Sequence, residues 1–250
     1  MAICKLCLKE KKLIKNSHII PNFMYKDLYD DHNKLRSFSL SDISGGNKRV
    51  IKPSSGVYEG GILCCDCDNK LLGKYENYAS KLLYGKALPG KIVPVCENHV
   101  GLDGLKVTIC RNIDYKLFKL FLLSILWRSG ISTRPFFKRV KLGSHQYILR
   151  RMIFNEDPGD TNDYPISIMS YLTDQSLPQD LIVQPTRIKT KDGLNIYKFV
   201  IGGLIYLYFV NSATHKIPKF VLDSTIKKNN EMTIIHIPDN KALELILESK

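Results

Sequence analysis

Two closely spaced cysteine pairs, Cys4-Lys5-Leu6-Cys7 and Cys64-Cys65-Asp66-Cys67, constrain the fold of this chain more than any other feature. In each pair, two intervening residues form a tight turn that lets both sulfurs face one point, as in Zn²⁺-binding knuckles. Four thiolates fill a tetrahedral coordination sphere, so the bound ion is structural and folding depends on it. We therefore predict a structural zinc site at Cys4, Cys7, Cys64 and Cys67. Cys65 is an alternative ligand to Cys64, although the two-residue spacing favours Cys64.

The positive charge of the chain is concentrated in its first part. Of the 250 residues, 37 are Lys or Arg and 24 are Asp or Glu, which gives a net charge of +13. Residues 1–150 carry 26 basic and 12 acidic side chains, whereas residues 151–250 carry 11 and 12. A basic surface beside a metal site indicates a polyanionic partner, most simply nucleic acid, because phosphate neutralisation supplies most sequence-independent affinity. A basic face that only aids solubility is the alternative.

The sequence predicts a cytoplasmic protein that does not insert into membranes. No secretory signal precedes Cys4, and the longest apolar stretches, 120–127 and 199–210, are shorter than the roughly 20 residues that span a bilayer. In a reducing compartment, the seven cysteines favour metal binding over disulfides. Cys96-Glu97-Asn98-His99 has the spacing of half a metal site that Cys110 could complete, but an isolated half-site of this kind is usually incidental.

The hydrophobic patterns predict an α+β fold in three parts. Residues 1–90 form the zinc-binding module, and residues 29–61 within it form a polar insertion with strands around 37–40 and 50–52. Residues 91–154 form a helical basic region, and residues 155–250 a β-rich C-terminal region. Apolar residues at three- and four-residue steps predict helices over 66–84, 112–129, 144–154 and 240–248. Strands are predicted over 166–172, 181–184, 196–201, 204–210 and 233–237, with Gly202-Gly203 as a hairpin turn.

Residues 3–84 resemble the HNH, or ββα-metal, endonucleases of treble-clef type. The residues that match are the two cysteine pairs, Ser17-His18-Ile19-Ile20-Pro21 between them, and Asp68 after the last cysteine. In that family a strand ending in Asp-His-Ile-x-Pro lies between the knuckles, and the second knuckle enters a helix. The resemblance implies a treble-clef or ββα module in which His18 activates water as the general base. Many bacterial proteins with such modules act in restriction or phage defence, so the resemblance implies that role as well.

The sequence departs from the family pattern at two positions. Ser17 stands where the family has a metal-binding aspartate, and Asp68 stands where it has Asn or His. One interpretation is that the carboxylate has moved: Asp68 binds a catalytic Mg²⁺ or Mn²⁺, Ser17 adds a hydroxyl or a water-mediated contact, and Asn69 and Glu76 are spare oxygen ligands. His18 and Asp68 are then the catalytic pair. The opposing interpretation is a degenerate site in which His18 only closes a hydrogen bond beneath the knuckle.

These observations leave three functions open. The first is a metal-dependent endonuclease that hydrolyses phosphodiester bonds, with DNA favoured over RNA as the substrate. The second is a non-catalytic, zinc-stabilised nucleic-acid-binding or regulatory protein. The third is an interaction protein whose C-terminal region mediates a homodimer or binds a protein partner. The segment 134–141 interleaves aromatic and basic residues, a composition that suits phosphate contact with base stacking, although Phe136 and Phe137 are equally compatible with a core position.

Overall fold

The structure, a computed structural model, describes residues 1–28, 37–38, 56–85, 93–101, 104–175, 177–179, 181–210 and 215–247. Its architecture is α+β, as predicted, with one large mixed sheet, three longer helices and the cysteine-bearing N-terminal segment. The predicted strand at 50–52 lies outside the described residues, as do positions 39–40 of the other strand predicted in the insertion.

The strands of the described residues form one eight-stranded sheet and two small pairs. They are β1 (Ala2–Ile3), β2 (Glu10–Lys11), β3 (Ser17–His18), β4 (Ser37–Phe38), β5 (Tyr58–Glu59), β6 (Val95–Val100), β7 (Lys106–Arg111), β8 (Ile166–Ser170), β9 (Ile182–Lys189), β10 (Asn195–Ile201), β11 (Leu204–Val210) and β12 (Met232–His236). The large sheet has the order β4-β9-β10-β11-β8-β12-β7-β6. Its β4–β9 and β8–β12 pairs are parallel and its other pairs antiparallel. Separately, β1 pairs with β2 and β3 pairs with β5, both antiparallel.

Four of the five helices of the described residues follow predicted segments, and α4 was not predicted. They are α1 (Gly73–Leu83), α2 (Tyr115–Ile131), α3 (His145–Phe154), α4 (Lys219–Asp223) and α5 (Ala242–Leu247), with 3₁₀ segments at Asn22–Leu28 and Pro135–Phe137. A π-helical segment, Asp66–Leu72, leads directly into α1. The Asp114 carboxylate caps α2 by accepting a hydrogen bond from the Leu117 N–H at 2.9 Å. Helix α2 packs against both α1 and α3 and is buried around most of its circumference, so it is the central helix of the core.

The large sheet buries apolar side chains on both faces. Along β10, Phe199 and Ile201 belong to the core shared with α1 to α3, whereas Val200 belongs to a second cluster that includes Ala242 and Ile246 of α5. This alternation follows from the two-residue period of a strand. The turn between β10 and β11 requires its two glycines, because Gly202 and Gly203 have φ angles of +57° and +78°.

The hairpin of β6 and β7 was not predicted from the sequence. Strands β6 and β7 lie in the predicted helical basic region, and β7 pairs with β12 of the predicted C-terminal region, so the large sheet draws strands from both. Strand β6 is exposed along its whole length and therefore lacks the alternation of apolar and polar residues that identifies a half-buried strand. Among the helices that the structure describes, none is long and apolar enough to cross a membrane.

Candidate metal centre and the His18 site

Four cysteine sulfurs meet at one point of the N-terminal segment. The Sγ atoms of Cys4, Cys7, Cys64 and Cys67 all lie within 4.8 Å of one another, with 4.0 Å between those of Cys7 and Cys64. A tetrahedral site with zinc–sulfur bonds of about 2.3 Å requires sulfurs about 3.8 Å apart, so the four thiols fit a zinc ion. The described residues contain no second group of three or more potential metal ligands from His, Cys, Asp and Glu.

Backbone hydrogen bonds hold the two knuckles together. The first knuckle turns between β1 and β2, where the Cys4 N–H donates to the Lys9 carbonyl at 3.0 Å. The Lys5 N–H donates to the Ile62 carbonyl and the Ile14 N–H to the Leu63 carbonyl, both at 2.9 Å. These bonds tie the first knuckle to the residues just before the second one. The cysteine cluster is therefore positioned by the main chain as well as by any bound ion.

The thiols of the cluster resist joint deprotonation. Burial acts to raise the pKa of Cys4, but N–H groups of Cys7 and Cys64 point at its sulfur and lower the pKa to about 7. The pKa of Cys67 is raised, first by burial and then by the neighbouring Cys64 and Cys4. Four thiolates this close together repel one another, and a dication is the group that stabilises all four at once. The donor set therefore matches a closed, structural zinc site.

The remaining cysteines lie outside this cluster. Cys65 is exposed and is absent from the four-sulfur group, so the structure selects Cys64 over Cys65. Cys96 on β6 and Cys110 on β7 are register partners and form a disulfide. The half-site formed by Cys96 and His99 with Cys110 is thus not a metal site. The expectation that metal binding takes precedence over disulfides is wrong for this pair.

The β3–β5 pair places His18 next to the start of the helical segment. Ser17 and His18 form β3 and pair with Glu59 and Tyr58 of β5, respectively. Ser17 is fully buried, and its hydroxyl donates to Asp68 Oδ1 at 2.6 Å. The two positions at which the sequence departs from the family pattern are therefore in direct contact.

The His18 side chain is half-buried among charged groups. Burial lowers the pKa of its imidazole, the nearby carboxylates of Glu76 and Asp68 raise it, and Arg128 lowers it, so that the pKa lies below its ordinary value of 6.5. An imidazole with a lowered pKa is neutral at neutral pH and can accept a proton. Two carboxylates within electrostatic range stabilise the imidazolium that forms when it does.

Arg128 is a residue of this site that the sequence analysis missed. Its side chain is 1% exposed, and Nη1 donates to the His18 carbonyl at 2.8 Å and contacts Glu76 Oε1 at 2.8 Å. The Arg128 guanidinium also donates to the Ser124 carbonyl and hydroxyl within its own helix. The available signal was an arginine on the apolar surface of α2, since a buried charge requires a charged partner.

The four predicted cation ligands do not all converge. Ser17 and Asp68 are in contact, but Glu76 is paired with Arg128, and the Asn69 amide donates to the exposed Cys65 sulfur at 3.3 Å. Protein-bound Mg²⁺ usually takes one or two carboxylates and completes its octahedron with water and substrate phosphates. The Ser17 hydroxyl is fully buried and donates to Asp68, so Asp68 is the one carboxylate of the set at this position. Asn69 and Glu76 are not placed as ligands.

The aromatic and basic segment after α2 lies beside this site. Phe137 is buried, which confirms the core alternative for that residue, while Arg134 is exposed and its Nε donates to the Tyr58 carbonyl at 2.9 Å. Farther along, Arg150 Nη1 donates to the Leu6 carbonyl of the first knuckle at 2.8 Å. Basic residues from two parts of the chain therefore flank the cysteine cluster and β5.

Comparison with protein-family models, with curated proteins and with solved structures gives no match to this chain.

Proposed function

We propose that this protein is a zinc-stabilised endonuclease that hydrolyses nucleic-acid phosphodiester bonds, with His18 as the general base. The observation that carries the proposal is the position of His18 on β3, within electrostatic range of Asp68 and Glu76 from the helical segment that follows the second knuckle. A half-buried proton acceptor with a lowered pKa, flanked by carboxylates, has the composition of a general-base site.

The order of the elements supports a ββα or treble-clef interpretation of this module. Strands β3 and β5 form an antiparallel pair, and the chain then passes through the second knuckle into the helical segment that carries Asp68. The zinc ion would fix the start of that segment against the first knuckle. It would thereby set the distance between His18 and Asp68.

In the proposed reaction, His18 accepts a proton from a water molecule. As the water oxygen forms its bond to phosphorus, the bond from phosphorus to the 3′-oxygen breaks, and that oxygen takes a proton from solvent. The Asp68 and Glu76 carboxylates stabilise the resulting imidazolium, and Arg128 holds the His18 backbone in place. A divalent cation held by Ser17 and Asp68 would supply charge stabilisation at the phosphoryl and leaving oxygens.

The charge of the chain supports a nucleic-acid substrate. The excess of basic residues falls within positions 1–150, which include the cysteine cluster, β3 and β5. Arg134, next to Tyr58, and Arg150, next to Leu6, place two of these cations around the module. Electrostatic attraction of this kind acts on any polyphosphate chain, and we take duplex and single-stranded DNA as the first substrates to test.

A plasmid-nicking assay with Mg²⁺ or Mn²⁺ tests the proposed function. We expect His18→Ala to lower the cleavage rate about 100- to 10,000-fold, because positioned general bases contribute that much. Asp68→Ala should lower the rate by a similar factor. Equal cleavage by the native protein and both variants would exclude the site.

Two matched controls come from the same chain. His99→Ala removes an exposed histidine on β6, and Asp66→Ala removes an exposed carboxylate of the same helical segment that pairs with Lys11 and Lys70. Both control variants should cleave at the native rate. A loss of cleavage in either would indicate an indirect effect on the module instead of chemistry at His18 and Asp68.

A second candidate function is a non-catalytic, zinc-stabilised nucleic-acid-binding protein. The observation in its favour is that Asp68 already accepts a hydrogen bond from Ser17 and that Glu76 is already paired with Arg128. Both carboxylates then serve to hold the module together. This function predicts salt-dependent DNA binding that survives His18→Ala, without cleavage under any divalent cation.

A further inference from the structure

An aromatic and cationic pair, Tyr58 with Arg134, stands next to His18. Tyr58 pairs with His18 across the β3–β5 ladder, and the two ring centroids are 6.3 Å apart in an edge arrangement. Tyr58 is 39% exposed and is the first residue of the two-residue strand β5. A large aromatic ring is therefore presented to solvent beside the proposed general base.

Arg134 approaches Tyr58 from the segment that follows α2. Its Nε donates to the Tyr58 carbonyl at 2.9 Å, and its guanidinium carbon lies 5.9 Å from the centroid of the Tyr58 ring. This distance is within the range of a cation–π contact. Arg134 is exposed, and its guanidinium carries further N–H donors besides the Nε–H that binds the Tyr58 carbonyl.

The chain around this pair is firmly anchored. The buried Glu59 carboxylate accepts hydrogen bonds from the Ser132 hydroxyl at 2.6 Å, the Thr133 hydroxyl at 2.8 Å and the Thr133 N–H at 3.0 Å. These bonds join β5 to the residues that carry Arg134. They lower the pKa of Glu59 despite its burial, so the carboxylate is charged and the bonds are charge-assisted. The pair is thus held in place before any ligand binds.

We propose that Tyr58 and Arg134 bind the nucleotide next to the bond that His18 acts on, with the unpaired base stacked on the pair and a phosphate at Arg134. Every base has a π-face that stacks on an aromatic ring, while a guanidinium binds phosphate and also stacks. A base inside a duplex offers no free face at this position. The substrate class is therefore single-stranded or locally unpaired nucleic acid. This inference rests on the proposed function for its place in the reaction, but its binding step is testable alone.

The chain contains a matched pair that serves as a control. On α3, Tyr147 is 58% exposed and the guanidinium carbon of Arg151 lies 5.9 Å from its ring centroid. The two pairs share residue types and distance, although Tyr147 is more exposed than Tyr58 and also has Arg150 at 5.3 Å from its ring centroid. They differ in that Tyr58 neighbours His18, so a general effect of surface aromatics or of net charge should appear equally at both pairs.

The test is fluorescence anisotropy with labelled single-stranded and duplex oligonucleotides of one sequence, without added divalent cations. We expect Tyr58→Leu and Arg134→Gln each to weaken single-strand binding about 5- to 100-fold, the range of a lost base–aromatic stack. Tyr58→Phe should bind like the native protein, because the ring remains. Duplex binding should change less than about twofold in Tyr58→Leu, as should single-strand binding by Tyr147→Leu and Arg151→Gln.

Three results would overturn the inference: native affinity in Tyr58→Leu, an equal loss for duplex, or an equal loss in Tyr147→Leu. Failure to bind any oligonucleotide would overturn it as well. The outcomes separate it from the proposed function. A selective binding loss without any cleavage by the native protein supports the binding pair and rejects the endonuclease. Cleavage that depends on His18, together with native single-strand affinity in Tyr58→Leu, supports the endonuclease and rejects the binding pair.

Discussion

The cysteine cluster and the His18 site use the same two stretches of chain but differ in how completely their polar groups are satisfied. Four identical thiols face one another in the cluster, and backbone hydrogen bonds fix both knuckles. The His18 site combines an imidazole, a hydroxyl, two carboxylates and a guanidinium, and the imidazole is only half-buried. The first arrangement leaves no position for a substrate. In the second, the imidazole stays partly exposed, and that difference separates the closed cysteine cluster from a candidate reactive site.

The two regions also depend on the rest of the chain to different degrees. The cluster draws its four ligands from two short knuckles that backbone hydrogen bonds join to each other. The His18 site is completed from α2, where Arg128 contacts both the His18 carbonyl and Glu76. Damage to the cluster should therefore unfold the module, whereas damage to α2 should disturb the His18 site while the cluster persists.

The largest expected effect is loss of the metal centre. Cys67→Ser removes one of four ligands, and because structural zinc contributes an apparent 10 to 16 kcal/mol in zinc-finger peptides, we expect loss of zinc and unfolding of the module. Elemental analysis measures the zinc content, and thermal unfolding measures the stability of the module. Cys65→Ser, which changes an exposed cysteine outside the cluster, should keep the zinc and the native stability within about 0.5 kcal/mol. Retention of zinc and native stability in Cys67→Ser would contradict a structural role for the cluster.

A smaller effect is expected from Arg128→Met. The substitution leaves Glu76 without its partner and the His18 carbonyl without its donor, and removing one member of a buried pair costs about 3 kcal/mol or more. Urea unfolding measures this loss, and zinc content should stay unchanged. Arg111→Gln, which breaks an exposed pair with Glu97, is the control and should cost less than about 1 kcal/mol. An equal loss of unfolding free energy in Arg128→Met and Arg111→Gln would contradict the stabilising role of Arg128 in the His18 site.

The smallest effect is a pH dependence from His18. Because the folded-state pKa lies below 6.5, the unfolded chain binds the proton first as the pH falls, and stability decreases below about pH 6.5. Above that pH the His18 contribution is complete. The cleavage rate should fall through the same low-pH window, because a protonated imidazole accepts no proton. His18→Asn should weaken the pH dependence of unfolding, whereas His99→Asn should leave it as in the native protein.

Much of the fold could be predicted from local patterns. The helices α1 to α3 and the strands β8 to β12 follow the periodic segments, and the glycine pair at 202–203 does form the hairpin turn. Strand β6 could not be found, because it is exposed on all residues and has no alternating pattern. The disulfide between Cys96 and Cys110 was not predicted for a related reason: the two cysteines are neighbours only in the β6–β7 hairpin, and that hairpin was not predicted.

The site was predictable where ligands lie close in sequence. The spacing of Cys4, Cys7, Cys64 and Cys67 was sufficient to identify the cluster, because each knuckle fixes its own geometry. The contacts of Arg128 and Glu59 were not predictable, because their partners are about 50 to 110 positions away in the chain. The packing of α2 against α1, and the hydrogen bonds from Ser132 and Thr133 to Glu59, bring these groups to the His18 site.

The most direct test measures zinc content and plasmid cleavage on one preparation of His18→Ala, beside the native protein. We expect one zinc ion per chain in both proteins and cleavage at least about 100-fold slower in the variant, because the cluster and the His18 site act separately. Native cleavage by His18→Ala with its zinc in place would contradict the assignment of His18 as the general base.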